Sequence, residues 1–277
     1  MKSEGTAAGV VKKTIVGAMA GDIVGSRWEF GGCKTKDFPL FDSHCFATDD
    51  TFLTLAIGEA LLDFLSTGGD LSALASQKLK EWARAYSNVG YGGSFIDWVI
   101  NDRSQPYNSW GNGAAMRVSL CGWAAKSLEE AASYSDAVTK VTHNHPEGMA
   151  GARIIAECVF LARTGWKMSA IREHVEANYR TLNRTVEEIR PEYDFDISCQ
   201  GTVPPALTCF FESESFEDAI RNAISLGGDS DTLGAICGAV AGAYYGIPSG
   251  IVDATRFFLD DRCKETIERC ECAWNDG

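Results

Sequence analysis

The sequence predicts an all-α protein built as one domain. Apolar residues recur at helical spacing over most of the chain, whereas the alternation typical of strands is nearly absent. The seven prolines lie outside the predicted helices, which fits helices joined by short loops. At 277 residues the chain can bury a sizeable core, and no long linker or repeat divides it. We therefore expect a single domain over residues 1–277, with its core at about residues 14–262.

Apolar periodicity, glycine stops and capping residues define the helical segments. In chain order the predicted helices cover residues 49–65, 71–86, 114–125, 127–141, 148–163, 169–179, 215–225, 231–245 and 251–272. Ser127 with Glu130 matches a capping box, and Ser169 is the expected N-cap of its helix. Residues 193–198 are the only short candidate for a strand.

Charge excludes two classes of partner. The chain carries 38 acidic against 25 basic residues, a formal net charge of −13, which argues against binding to duplex nucleic acid or to anionic lipid. The acidity indicates either an ordinary solvated surface or a cluster of carboxylates that holds cations. No run of 18 apolar residues is present, so no membrane span is predicted. The ten cysteines are irregularly spaced among apolar residues, which favours buried thiols in a reducing, cytoplasmic setting.

Two helix starts carry paired carboxylates. Thr48, Asp49 and Asp50 begin the first predicted helix, and the run GGDSDT, with Asp229, Asp231 and Thr232, begins the helix at 231–245. Either run alone is explained well as a helix cap that complements the helix dipole. Both together form a hard-oxygen set suited to Mg²⁺ or Mn²⁺ if the two helix starts converge.

Three further segments carry polar residues near glycines. Asp22 and Glu29 are seven residues apart, so both would share one face if the segment were helical throughout. The run NSWGNG at 108–113 could offer backbone N–H groups to a phosphate at the start of a helix, or form a plain turn. His143 and His145 lie in THNHPEG, where they could contact a ligand or neighbouring backbone.

Together these motifs resemble the ADP-ribosylglycohydrolase family, which includes dinitrogenase-reductase-activating glycohydrolase and the eukaryotic ADP-ribosylhydrolases. The resemblance runs from about Val16 to about Leu259 and is closest to compact bacterial members. It is carried, in the family's order, by GDIVGSRWEF, FATDDT, GYGG, NSWGNGAAMR, THNHPEG and SLGGDSDTLGAICG. It implies an all-helical orthogonal bundle and a metal-dependent hydrolase with two Mg²⁺ or Mn²⁺ ions.

The resemblance also implies a role for each motif residue. Expected metal ligands are Thr48, Asp49, Asp50, Asp229, Asp231 and Thr232, with Asp231 between the two ions. Expected substrate-binding residues are Gly92, Gly93, Ser109, Gly111, Asn112, Gly113, Met116 and His143. Expected catalytic residues are Glu29, Asp49 and Asp231. Glu29 matches a catalytic glutamate in the branch of the family that cleaves serine-linked ADP-ribose, whereas the acid–base assignment differs in the relatives that cleave the arginine linkage.

The expected reaction is hydrolysis of the glycosidic bond between ADP-ribose and an acceptor. The acceptor would be an arginine or serine side chain of a protein, or a small molecule, and ADP-ribose would be released. A non-catalytic ADP-ribose-binding or structural member of the family is the alternative, although intact TDDT and GGDSDT runs argue against degeneration. A metal phosphohydrolase of another fold that uses the same acidic cluster is a third interpretation.

Overall fold

The structure is a computed structural model that describes residues 9–274. Within that range lie fourteen α-helices, one 3₁₀ turn at Asn112–Ala114 and one antiparallel pair of short strands, β1 (Val10–Val11) and β2 (Ile247–Pro248). The helices are α1 Gly17–Ser26, α2 Asp49–Thr67, α3 Leu71–Ala85, α4 Gly93–Ile100, α5 Ser119–Ala124, α6 Leu128–Thr139, α7 Pro146–Arg163, α8 Met168–Asn178, α9 Val186–Ile189, α10 Cys199–Phe211, α11 Phe216–Ile224, α12 Ser230–Tyr245, α13 Ser249–Phe257 and α14 Asp261–Trp274. The predicted all-α class is confirmed.

The two central helices, α1 and α12, touch backbone to backbone. Glycines recur every fourth residue on both helices, at 17, 21 and 25 and at 234, 238 and 242. A Cβ atom added to Gly21 would lie 1.9 Å from the carbonyl oxygen of Gly234, and one added to Gly17 would lie 2.3 Å from that of Gly238. The order of these contacts makes the helices antiparallel. Only glycine permits this approach, because it has no Cβ.

Helix α1 was not predicted from the sequence pattern, because it is buried on all sides. All ten of its residues are buried, so it lacks the apolar stripe of a surface helix. The helix ends at Ser26, and Glu29 therefore lies in the turn that follows it rather than on the same helical face as Asp22. The expectation of one shared helical face is wrong, although the Asp22 charge does act on Glu29 and raises its pKa.

Helix α10 contradicts the expectation that every proline lies outside a helix. Pro204 and Pro205 are inside it, and Pro146 is the first residue of α7. A proline cannot donate to the carbonyl four residues earlier, which for Pro205 is that of Gly201. The Tyr193 hydroxyl donates to this carbonyl at 3.2 Å and replaces the missing bond.

Two predicted helices are each interrupted. The segment 114–125 divides into the 3₁₀ turn and α5, and the buried Arg117 lies between them. The segment 251–272 divides into α13 and α14, where the Asp260 carboxylate accepts from the backbone N–H of Cys263 at 2.9 Å. That side-chain cap starts a new helix. Short helices α4 and α9 were not predicted.

The cap predictions had mixed outcomes. Ser127 caps α6 and accepts from the Glu130 N–H, but the Glu130 carboxylate accepts from Lys126 N rather than from Ser127 N. Ser169 is not an N-cap, because α8 begins at Met168 after Lys167. The reciprocal capping box belongs instead to Thr185 and Glu188 at α9.

The predicted strand at 193–198 does not form. Residues 193–197 have no regular secondary structure, and only Ser198 makes a bridge, to Gly111. Backbone bonds from Asn112 N to Ile197 O (2.8 Å) and from Cys199 N to Trp110 O (3.0 Å) fix this segment against the loop before the 3₁₀ turn. This segment therefore supports a loop through backbone hydrogen bonds rather than joining a sheet.

Buried side chains from nearly all the helices form one hydrophobic core cluster. Nine of the ten cysteines are buried within the fold, and Cys272 is exposed. Among residues 9–274, no helix is both long and apolar enough to cross a bilayer.

The α1–α12 contact predicts a sharp difference between two glycines. Gly21→Ala places a methyl group against the Gly234 backbone, and we expect it to lower the free energy of unfolding by about 3 kcal/mol through overpacking. Gly250→Ala, in α13, meets no atom within 4 Å and should leave stability unchanged or raise it by up to about 1 kcal/mol. Urea unfolding of both variants measures this. Equal free energies of unfolding for the two variants would contradict the close contact between α1 and α12.

Candidate active site

Asp22 joins the first helix to the start of α2. It is fully buried and accepts from Thr48 N (3.0 Å), Thr48 Oγ1 (2.7 Å) and Thr51 N (3.2 Å), and also from the Thr51 hydroxyl. Burial raises the pKa of Asp22, and these four bonds act in the opposite direction. The carboxylate thus fixes the N-terminus of α2 against α1.

The start of α2 holds two carboxylates. Thr48 is the N-cap, whose hydroxyl accepts from Asp50 N, and Asp49 and Asp50 form the first turn. The Asp50 Oδ2 atom accepts from the Thr232 hydroxyl at 3.3 Å, which links this turn to the start of α12. Its other oxygen, Oδ1, is buried and has no hydrogen-bond partner.

The start of α12 lies against the start of α2. Gly227 and Gly228 adopt φ angles of +72° and +68°, a conformation that favours glycine, and the chain then enters α12 with Asp229 as N-cap. The Ser230 hydroxyl donates to the Gly25 carbonyl at 3.0 Å, which holds this start against the end of α1. Carboxylate oxygens of Glu29, Asp229 and Asp231 lie within 4.8 Å of one another. The predicted convergence of the two acidic helix starts is therefore present.

The electrostatics of this cluster favour added positive charge. Burial, followed by the charges of Asp229 and Asp22, raises the pKa of Glu29 to about 7. Burial and neighbouring carboxylates also raise the pKa values of Asp49, Asp50 and Asp231. The closely grouped carboxylate oxygens of Glu29, Asp229 and Asp231, together with the partnerless Oδ1 of the neighbouring Asp50, suit a hard divalent cation such as Mg²⁺ or Mn²⁺. The donor set thus fits the metals that the sequence implies.

The cluster lies at the base of a cavity of about 400 Å³. Of the predicted site residues, the cavity is lined by Glu29, Asp49, Asp50, Gly92, Gly93, Ser109, Gly111, Asn112, Gly113, Met116, His143, Asp229, Asp231 and Thr232. Thr48 does not line it. Its hydroxyl donates to Asp22 and accepts from Asp50 N, so in this structure it acts as a helix cap.

The loop at 109–113 differs from the expected phosphate-binding helix start. It leads into a 3₁₀ turn rather than a longer helix. The Gly111 N–H donates to Ser109 Oγ at 3.0 Å, and the Asn112 N–H donates to Ile197 O. Two of its amides are therefore used internally. The Asn112 side chain instead donates to Asp229 Oδ2 at 2.6 Å and orients that carboxylate.

His143 presents one nitrogen to the cavity. Arg117 is fully buried, and its Nη2 donates to the Thr142 hydroxyl at 2.6 Å, which contacts His143 Nδ1 at 2.8 Å. Because arginine can only donate, Thr142 is free to donate to Nδ1, and the proton of neutral His143 then resides on Nε2. Burial and the Arg117 charge lower the pKa of His143 well below its usual value. Gly113 leaves space beside Nε2, where a Cβ would lie 3.4 Å away.

Several residues of the cavity were not predicted. They are Phe30, Leu53, Gly90, Ser94, Phe95, Tyr107, Arg117, Phe195 and Ile197. Phe30 and Phe195 stack at 6.1 Å, and both are exposed at the mouth. Phe30 directly follows Glu29 in the sequence, and this adjacency was the available signal for it. Phe195 and Ile197 are distant in sequence from every motif, and only the fold places them here.

These features define an all-α fold with a cluster of carboxylates beside a cavity, and comparison with known proteins identifies the class. The ADP-ribosylglycohydrolase family model matches residues 6–273. The chain therefore belongs to the ADP-ribosylglycohydrolase family and is a glycosidic-bond hydrolase of the ADP-ribosylhydrolase class.

The similar proteins include several named ADP-ribosyl hydrolases. The chain is 27% identical to ADP-ribosylarginine hydrolase Tri1 of Serratia proteamaculans, over 85% of this chain and 71% of the relative. It is 29% identical to ADP-ribosyl-[dinitrogen reductase] glycohydrolase of Rhodospirillum rubrum (80% and 76%), and 24% identical to human ADP-ribosylhydrolase ARH3 (84% of each). A solved ADP-ribosylglycohydrolase-related protein complex shares the fold, with a TM-score of 0.71, 24% identity and coverage of 95% and 96%.

The raised pKa values predict a pH-dependent effect of metal on stability. Without metal, the folded state binds more protons than the unfolded state from about pH 4.5, the ordinary value for Glu29, to about pH 7, so the free energy of unfolding falls as pH rises. A bound cation removes this penalty. Mn²⁺ should therefore raise the melting temperature more at pH 8 than at pH 5.5, as measured by differential scanning fluorimetry against EDTA-treated protein. An equal rise in melting temperature at both pH values would contradict the assignment of these carboxylates as the cation site.

Proposed function

We propose that this protein is a metal-dependent hydrolase that cleaves the bond between ADP-ribose and an acceptor, and releases ADP-ribose. The acceptor is a protein side chain, arginine or serine, or a small molecule. One observation carries the proposal: two acidic helix starts from distant parts of the chain meet, together with Glu29, at the base of one cavity.

The proposed ligands of two Mg²⁺ or Mn²⁺ ions come from both helix starts. They are Thr48, Asp49, Asp50, Asp229, Asp231 and Thr232. Asp50 and Thr232 are already in hydrogen-bond contact, which supports a shared centre. When bound, divalent cations would offset the clustered negative charge, hold ribose hydroxyls and acidify bound water.

The rest of the cavity would hold the nucleotide part of the substrate. Gly92 and Gly93 border open space, and α4 begins at Gly93, so the N–H groups of Gly93 and Ser94 can meet a diphosphate, whereas the Phe95 N–H donates to the Gly92 carbonyl. His143 offers its Nε2 proton from the opposite loop cluster. Ser109, Gly111, Gly113 and Met116 complete the proposed wall.

Glu29 is the proposed proton-transfer residue. It is half-buried beside Asp229 and Asp231, and its raised pKa of about 7 lets it exist in either protonation state near neutral pH. Cleavage at the anomeric carbon builds positive charge on the ribose, and a surrounding set of carboxylates would stabilise that charge. Asp49 and Asp231 are the proposed supporting carboxylates.

Removal of single carboxylates tests the proposed centre. Asp231→Asn and Asp49→Ala should each lower ADP-ribose release by about a hundredfold or more, because each removes a ligand and a charge from the centre. Asp253→Asn, on the exposed side of α13, is the matched control and should keep full activity. Near-native turnover by either site variant with metal bound would refute the ligand assignment.

A panel of defined conjugates tests the reaction itself. Arginine-, serine- and acetyl-linked ADP-ribose are each incubated with the protein in Mg²⁺ or Mn²⁺ and, separately, in EDTA. We expect release of free ADP-ribose from at least one linkage, and its loss in EDTA. If no linkage is cleaved under any metal condition, the proposal fails. Unchanged release in EDTA would remove its metal-dependent part.

A further inference from the structure

We propose that Lys34 is a positioning residue that holds together the two segments carrying Glu29 and Asp229, and so sets the affinity of the centre for divalent cations. The inference rests on the proposed metal site. Lys34 lies outside every motif that indicated function, and it does not line the cavity. Its effect would reach the carboxylates through the backbone.

The Lys34 ammonium joins three parts of the chain. Its Nζ donates to Arg190 O at 2.9 Å, to Tyr193 O at 2.6 Å and to the carbonyl of Leu226. Lys34 itself follows the turn that carries Glu29 and Phe30. The segment after α9 leads to Phe195, and Leu226 stands three residues before Asp229.

Three donors meeting three carbonyls use the full capacity of one ammonium group. Two of the acceptors lie at helix ends: Arg190 is the C-cap of α9, and Leu226 follows the end of α11. Carbonyls at the C-terminal end of a helix carry partial negative charge and lack partners within the helix. A cation placed there stabilises both ends at once, although Lys34 as a whole is an exposed residue.

The glycine pair before Asp229 is packed between the same segments. A Cβ on Gly227 would lie 3.3 Å from both Cε and Nζ of Lys34. A Cβ on Gly228 would lie 2.8 Å from the carbonyl oxygen of Asp194. The Gly227–Gly228 turn before Asp229 therefore lies close to Lys34 and to the backbone of residue 194.

A second contact ties the Glu29 turn to the same segment. Phe30 stacks on Phe195 at 6.1 Å, outside the Lys34 contacts. Because the carboxylates of Glu29, Asp229 and Asp231 repel one another, their 4.8 Å grouping needs restraint from the backbone when no cation is bound. Lys34 supplies that restraint at the point where both segments meet.

Lys36 is a matched control two residues further on. Its ammonium pairs with Asp218 on α11, at 2.5 Å, and makes no hydrogen bond or ion pair with residues 190–194 or 226–229. Lys34→Met and Lys36→Met therefore remove the same charge from the same loop, but only the first removes the three-carbonyl contact.

The test is Mn²⁺ affinity of the full chain, measured by electron paramagnetic resonance without substrate. We expect Lys34→Met to weaken Mn²⁺ binding about tenfold or more, as loss of groups that orient metal ligands typically does. Lys36→Met should bind within about twofold of wild type, and Lys34→Arg, which keeps the charge, should recover part of the affinity. Hydrogen exchange of residues 190–197 and 226–231 should rise in Lys34→Met alone.

Each outcome decides the inference. Equal Mn²⁺ affinity in Lys34→Met and Lys36→Met, with unchanged exchange in both segments, overturns it while leaving the proposed function intact. If Lys34→Met is too unstable to titrate, Lys34→Arg and the uncharged Lys34→Gln are compared instead. A Mn²⁺ affinity of Lys34→Arg that is no higher than that of Lys34→Gln then overturns the inference. If wild type itself binds no Mn²⁺, the proposed metal site fails first and the inference fails with it.

Discussion

The site depends on the glycine contact between α1 and α12. Gly17 and Gly21 lie against Gly238 and Gly234, so the two helix backbones approach more closely than any side chain would allow. At the far end of this contact, a Cβ on Gly25 would lie 2.6 Å from the Asp231 Cα atom. The same helix carries Asp22, whose carboxylate accepts hydrogen bonds from Thr48 and Thr51 at the start of α2. One buried helix therefore sets the position of both acidic helix starts.

That arrangement brings like charges together in a buried place, and the consequences follow from electrostatics. Burial and mutual repulsion raise the pKa values of Glu29, Asp50 and Asp231, and one Asp50 oxygen has no partner. A fold would not retain such a cluster for stability, because capping a helix needs only one of these side chains. Hydrogen bonds from Asn112 to Asp229, and the three carbonyl contacts of Lys34, hold the cluster in register instead. A divalent cation bound at the proposed centre would relieve the repulsion within this cluster.

Much of this could be predicted from sequence, for reasons that particular residues make clear. Amphipathic helices such as α3 show their period, and the acidic runs at 48–51 and 228–232 mark helix starts directly. Helix α1 could not be recognised by periodicity, because it is buried on every side, although its four-residue glycine spacing was an available signal. Helix α10 was hidden by Pro204 and Pro205, whose cost is offset by a hydroxyl from Tyr193 that no local pattern reveals. Phe195 lines the cavity, and Lys34 contacts the segments beside it, only because the fold brings distant parts of the chain together.

The central claim is that these carboxylates form one binuclear cation centre, and anomalous diffraction from crystals grown with Mn²⁺ tests it most directly. Data collected at the manganese absorption edge should show two peaks, both in contact with carboxylates of Asp49, Asp50, Asp229 or Asp231. A map with no peak at this cluster, or with peaks only at surface carboxylates elsewhere, would contradict the account.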